Sequence, residues 1–285
     1  KMKIIINADD FGFTKSVNEA VFTLAKKGTL TSTTVMVNMP YWEEVDKLLE
    51  YPNFGIGLHF NITQGKPILD ASEISTIVNS ETGEFYEFKE LRKRSKQGKI
   101  NVNDVYKELK AQILLLKQRV GDRLTHMDSH QGVHKYKPIS NAFLSLGKEN
   151  IVLGLRSPHH LFITDAIVPE VVGIKNIFKF GIKRYITELY YRKYNVAFRK
   201  YYVMPEGELL NINLKKVDTF EALEKLIALE KLYIEIPCHP ATSITDLPKT
   251  KLTDKRLQEF EILKSESFKN SLNKFQLISF KDLKK

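Results

Sequence analysis

The chain has 285 residues, with 42% hydrophobic and 27% charged residues and 44 Lys and Arg against 34 Asp and Glu, a formal net charge of +10. This composition excludes intrinsic disorder as the main state, and the length fits one α/β barrel of roughly 250 residues. No apolar run approaches the roughly 20 residues needed to cross a bilayer, and the single Cys238 excludes an intrachain disulfide framework and a thiolate-built zinc site. Asn7, Asp9 and Asp10 interrupt the early apolar stretch Ile4, Ile5, Ile6, which does not fit a secretory leader. The expectation is a soluble cytoplasmic protein. Its basic charge is scattered over amphipathic segments and reads as solvated surface, with neither nucleic acid nor membrane as partner.

Strand and helix patterns alternate along the chain. A β-branched run predicts a buried strand at 3–8. Val17, Ala20, Val21 and Leu24 fall at helical spacing, so 16–27 is predicted helical, with Gly28 as its stop. Strands are expected at 32–37 and 55–60, with a helix at 41–49 between them, stopped by Pro52. A long helix follows at 103–120, then a strand at 124–128, a helix at 139–148 and a strand at 151–156. Near the end come a strand at 233–238, a helix at 254–264 and a short strand at 275–279. Such alternation predicts a parallel sheet with crossover helices. Two stretches read as insertions on this single domain: 67–98, polar and turn-rich, and 158–206, long and basic. In the second, Tyr185, Ile186, Leu189 and Tyr190 fit an amphipathic helix packed inward, and this apolar, tyrosine-rich stretch is compatible with a homodimer.

Polar clusters stand at the ends of several predicted strands: Asn7-Ala8-Asp9-Asp10-Phe11-Gly12, Gly57-Leu58-His59-Phe60-Asn61, Thr125 to His134, and more weakly Pro237-Cys238-His239-Pro240. Parallel α/β folds gather ligands at the carboxyl ends of their strands, so these clusters are expected to share one site. Two adjacent half-buried carboxylates repel unless a cation lies between them. One of the pair binding a metal while the other acts as a base resolves that repulsion; the plainer alternative is that Asp10 or Thr14 caps the following helix. His126, Asp128 and His130, at i, i+2 and i+4, fall on one side of an extended segment. Taken with the Asp pair and His59, they point to a mononuclear metal site. A facial set of one Asp and two His leaves open positions for water and substrate, as a hydrolytic site requires.

Asn7-Ala8-Asp9-Asp10-Phe11-Gly12, Thr31-Ser32-Thr33-Thr34, Gly57-Leu58-His59-Phe60, Thr125-His126-Met127-Asp128-Ser129-His130 and Cys238-His239-Pro240-Ala241 resemble, in order, the motifs of the YdjC-like carbohydrate deacetylases, which include the chitooligosaccharide deacetylases. The resemblance implies a distorted, TIM-barrel-like (β/α) barrel and metal-dependent hydrolysis of an N-acetyl group on a sugar. It makes Asp10, His59 and His130 the metal ligands and Asp9 the general base. His239 is implied to polarise the carbonyl or protonate the leaving amine, and Arg156 to orient the catalytic carboxylate. His126, Asp128, His134 and Phe11 would line the site or orient the ligands. The cofactor would be one divalent metal ion, magnesium or zinc foremost, with manganese, cobalt or nickel also suited to the set. The chain departs from the family pattern at Gly132, where a further His is usual; that bears on substrate contacts more than on the ligands.

Two other readings compete. A different metal hydrolase on the same barrel would act on phosphoesters or on non-sugar amides. A phosphoesterase commonly clamps charge with two metals or several basic groups, whereas here the strand ends carry Asp and His, with Arg156 the main cation. A non-enzymatic binder using the basic, tyrosine-rich stretch would show steeply salt-dependent affinity, but it leaves the Asp and His clusters unexplained.

Overall fold

The computed structural model describes residues 1–158, 160–161, 194–209, 233–248 and 253–283. Its strands are β1 (Lys3–Phe11), β2 (Ser32–Val35), β3 (Gly55–Phe60), β4 (Leu124–Ser129), β5 (Gly154–Leu155), β6 (His160–Leu161), β7 (Gly207–Leu209), β8 (Tyr233–Cys238) and β9 (Gln276–Leu277). They form one parallel sheet in the order β5-β4-β3-β2-β1-β8-β7-β6, with β9 paired to the start of β1. The sheet curls into a half-barrel surrounded by helices, a distorted TIM-barrel-like fold. The segment before β7 links β5 to β8: Val203 exchanges backbone hydrogen bonds with Leu153 and with Leu155 of β5, while Glu206 N–H donates to the Tyr233 carbonyl of β8.

Both faces of β1 are buried, which is why its sequence is a continuous apolar run rather than an alternating one. Ile4, Ile6 and Ala8 join the main core, which also takes in Val21 and Leu24 of α1 (Lys15–Lys27), Val105, Leu109, Ile113 and Leu116 of α3 (Val102–Val120), and Ile139 and Phe143 of α4 (Lys137–Gly147). Ile5 points to the other face, where it packs with Ile278, Phe280 and Leu283 of the C-terminal segment. Thr14 caps α1 by accepting from the Val17 N–H at 3.3 Å, and Gly28 ends it at φ 77. Of the two caps considered for this helix, the structure therefore uses Thr14, and Asp10 is left for other work.

Several boundaries differ from the sequence expectation. The strand expected at 151–156 shrinks to two residues, because on its far side it meets only the isolated Gly154–Val203 bridge. The helix expected at 41–49 is a 3₁₀ helix, Trp42–Glu50. The stretch 67–98 holds a helix that the polar pattern hides, α2 (Phe88–Lys96), whose single buried side chain is Leu91. That stretch also adds Ile74, Ile77, Val78 and Phe85 to the main core. The amphipathic helix expected around Tyr185, Ile186, Leu189 and Tyr190 lies outside the described residues.

Candidate active site

The carboxyl ends of β1, β3, β4, β5 and β8 bring the polar clusters together. In a regular strand, Asp9 and Asp10 would point to opposite faces. Here the register of β1 on β2 shifts between Ala8 and Phe11, and Asp10 takes φ 69. Asp is one of the few non-glycine residues that tolerate this left-handed conformation. Both carboxylates thus reach one cluster, 3% and 1% exposed. Gly12, at φ 93, continues the turn; a Cβ there would lie 2.8 Å from the Trp42 Cα.

Asp10 Oδ1 lies 2.9 Å from His130 Nδ1 and 3.1 Å from His59 Nε2, and the two ring nitrogens are 3.3 Å apart. These three atoms are a compact one-Asp, two-His donor set. The opposite nitrogen of His59, Nδ1, is 2.6 Å from Asp128 Oδ1. That contact fixes the ring orientation and leaves Nε2 for a metal, as a carboxylate behind a ligating His does. Asp9, His59 and Asp128 form a second set of suitable spacing. A cation already occupies it: Arg156 Nη2 lies 2.6 Å from Asp9 Oδ1 and 2.9 Å from Asp128 Oδ2.

Arg156 follows β5 and is 5% exposed. Its Nη1 donates to Asp9 Oδ2 at 2.7 Å and its Nη2 to Asp9 Oδ1, a two-pronged clamp, while Nε donates to Glu235 Oε1 at 2.8 Å. Asn7 Nδ2 adds a bond to Asp9 Oδ1 at 2.8 Å. Burial opposes ionisation of Asp9, but the adjacent guanidinium outweighs it and brings the pKa down to about 2. Burial likewise opposes ionisation of Asp10, and Arg256 and His130 overcome it, holding this carboxyl well below the usual range. Burial alone would strip His59 of a proton; Asp128 and Asp10 reverse that and push its pKa up to about 10.

The donor chemistry fits a divalent cation. The buried carboxylates Asp9, Asp10, Asp128 and Glu235 face two guanidinium groups, Arg156 and Arg256. In formal charge that leaves an excess of two negative charges, and three of these carboxylates, Asp128, Asp10 and Asp9, are the ones that raise the pKa of His59. Two imidazoles with one carboxylate suit zinc and its neighbours, and the carboxylate also admits magnesium or manganese.

The remaining expected residues fall into place unequally. His239 follows β8, about a third exposed, with Nε2 3.6 Å from Asp9 Oδ2. Its backbone N–H donates to Glu259 at 2.5 Å. His126 is fully buried, 3.1 Å from Asn7 Oδ1 and stacked on Phe280, so it steadies Asn7 and does not reach Asp10. Burial and Arg156 hold His126 well below the usual histidine pKa, that is, neutral. His134 pairs with Ser129 Oγ at 2.6 Å and packs on Phe143, behind the turn carrying His130. That turn uses two left-handed residues, Gln131 at φ 55 and Gly132 at φ 64. Phe11 is not part of the cluster: fully buried, it meets the Phe22 ring of α1 edge-on at 5.6 Å. The aromatic ring near the ligands is Phe13, with its centroid 6.4 Å from that of His130.

Sequence reasoning missed Glu235, Arg256 and Glu259. Glu235 had a readable signal, a lone acid between isoleucines in a strand whose neighbours are apolar. Arg256 and Glu259 had none, because charged residues in a helix ordinarily face water.

The YdjC-like protein family profile matches residues 3–274. The chain belongs to the YdjC-like family. It is 30% identical over 289 residues to carbohydrate deacetylase 2 of Listeria innocua, covering 100% of both chains. It is 29% identical to a carbohydrate deacetylase of Enterococcus faecalis, over 95% of this chain and 93% of that one. A crystal structure from Enterococcus faecalis, of a protein called a "putative cellobiose-phosphate cleavage protein", superposes with a TM-score of 0.74 at 26% identity, covering 98% of each chain. This YdjC-like protein therefore shares nearly its whole length with these relatives and its fold with the solved structure.

Proposed function

We propose that this YdjC-like protein is a divalent-metal-dependent hydrolase that removes the N-acetyl group from an amino sugar or a short N-acetylated oligosaccharide. The observation that carries the reading is the convergence of Asp10 Oδ1, His59 Nε2 and His130 Nδ1 beside a second, separately clamped carboxylate, Asp9. Relatives named carbohydrate deacetylases supply the substrate class. Asp10, His59 and His130 hold the metal, zinc or magnesium foremost. When bound, it lowers the pKa of a coordinated water and polarises the amide carbonyl.

The chain's own groups manage the protons. Arg156 keeps Asp9 ionised and correctly turned, so its carboxylate is ready to take a proton from the attacking water. A carboxylate with a pKa near 2 is a poor place for that proton to stay. His239 Nε2, 3.6 Å away, is the neighbouring group to which it can pass. From there the proton reaches the leaving amine, which departs as acetate is released. Asp128 holds the His59 ring in its ligating orientation, and Asn7 and His126 brace Asp9 from behind. In this reading the whole chain acts as one domain.

The test is acetate release from N-acetylglucosamine and N,N′-diacetylchitobiose by chelator-treated protein, before and after adding single divalent metals. Acetate that appears only with metal supports the reading. Metal-loaded protein that releases none from either sugar contradicts the substrate assignment.

A further inference from the structure

We infer that Arg256 is a positioning residue that confines Asp10 to one ligating oxygen, so that helix α5 (Asp254–Lys264) tunes the metal affinity of the site. The inference rests on the proposed reading of Asp10, His59 and His130 as ligands. Arg256 is 2% exposed, and its Nη2 donates to Asp10 Oδ2 at 2.6 Å. The other oxygen of Asp10, Oδ1, is the one that faces His59 and His130. The guanidinium thus divides the carboxylate, taking one oxygen and leaving the other to the donor set.

Fold stability does not account for this arrangement. The Nε and Nη1 of Arg256 are buried and meet no acceptor among the described residues. A buried arginine spent on a single carboxylate carries a desolvation penalty that a well-packed apolar side chain would avoid. Asp10 also sits in a left-handed backbone conformation, where its carboxylate needs an external hold. Arg256 supplies that hold from a helix remote in sequence. The same turn of α5 reaches the other side of the site. Glu259, three residues on, accepts the backbone N–H of His239 at 2.5 Å, and the Arg256 carbonyl accepts from Ala241 N–H at 3.3 Å. One helical face thereby fixes a proposed ligand and the proposed proton carrier relative to each other.

An Asp10 released from Arg256 can offer both oxygens. That geometry suits ions that favour carboxylate oxygen, such as manganese, better than it suits a four-coordinate zinc. The experiment is calorimetric titration of zinc and of manganese into chelator-treated wild type, R256M and R256K, with circular dichroism to establish folding. R256M is expected to weaken zinc binding by about 10- to 100-fold, the usual effect of removing a group that orients a ligand. Manganese should weaken less, so the zinc-to-manganese affinity ratio falls; a purely structural role would leave that ratio unchanged. R256K, which keeps the charge and one donor, should recover part of the zinc affinity. Should R256M fail to fold, R256Q carries the same comparison. Folded R256M or R256Q with wild-type zinc affinity and an unchanged ratio overturns the inference and leaves the ligand set standing. Wild type that binds neither metal overturns the ligand reading and this inference together.

Discussion

Arg156 grips Asp9 through two near-parallel hydrogen bonds, Nη1 to Oδ2 at 2.7 Å and Nη2 to Oδ1 at 2.6 Å, while its Nε is tied to Glu235. A lysine carries the charge but not the fork. R156K is therefore expected to retain its metal and lose about 10- to 100-fold in kcat, because Asp9 is no longer held in its reacting orientation. Steady-state kinetics with metal analysis on the same sample tests this. Wild-type kcat in R156K would remove Arg156 from the mechanism.

The short contact between His59 Nδ1 and Asp128 Oδ1 has a separate consequence. D128N keeps the shape of the side chain but loses the charge that raises the basicity of the ring. Metal affinity is expected to drop about 10- to 100-fold. Competition with a chromophoric chelator would measure the drop, and an unchanged affinity would show that Asp128 does not support the ligand.

Folding stability carries two opposed pH dependences. Asp9 ionises at about 2 in the folded chain against 3.8 in the unfolded one, so its contribution to stability is complete above 3.8 and is lost as pH falls towards 2. His59 titrates at about 10 against 6.5, so its contribution is complete below 6.5 and is lost as pH rises towards 10. A metal must displace the His59 proton. With His59 as a ligand, metal binding should therefore tighten as pH rises towards 10 and release close to one proton per ion at neutral pH. Titration in buffers of different ionisation enthalpy counts that proton. Affinity independent of pH between 6.5 and 9 would show that His59 is not the group displaced.

Gly57 explains part of the Gly-Leu-His-Phe motif. A Cβ at this position would lie 2.6 Å from the His126 ring, which is itself stacked on Phe280 and bonded to Asn7. G57A forces the imidazole to move within a filled interior, an overpacking cost of about 1–3 kcal/mol. Thermal unfolding should register a lower Tm, and a Tm equal to wild type would mean that the ring has room to shift.

The sequence was most legible where a single physical signal governs. β3 and β8 are short buried runs with clear stops, and the bounds expected for both coincide with those observed. His59 and the Asp pair announced themselves as polar groups at the ends of such runs. α2 was not legible, because only Leu91 of its nine residues is buried and no apolar stripe marks it. Proximity to Asp10 in sequence does not place Phe11: the left-handed turn at Asp10 carries the carboxylate into the site while the next ring packs on Phe22. Arg256 lies 246 residues from the carboxylate it holds, and only the docking of α5 on the barrel brings the two together.

The division of labour between two adjacent aspartates is the centre of this account, and one paired measurement addresses it. Bound metal and released acetate would be determined on the same preparations of wild type, D9N and H130A, with N,N′-diacetylchitobiose as substrate. Wild type should hold one equivalent of metal and release acetate. D9N should hold the metal with kcat reduced about 100-fold or more, the scale of a lost general base. H130A should lose both. D9N turning over at the wild-type rate, or H130A retaining its metal, would contradict the assignment.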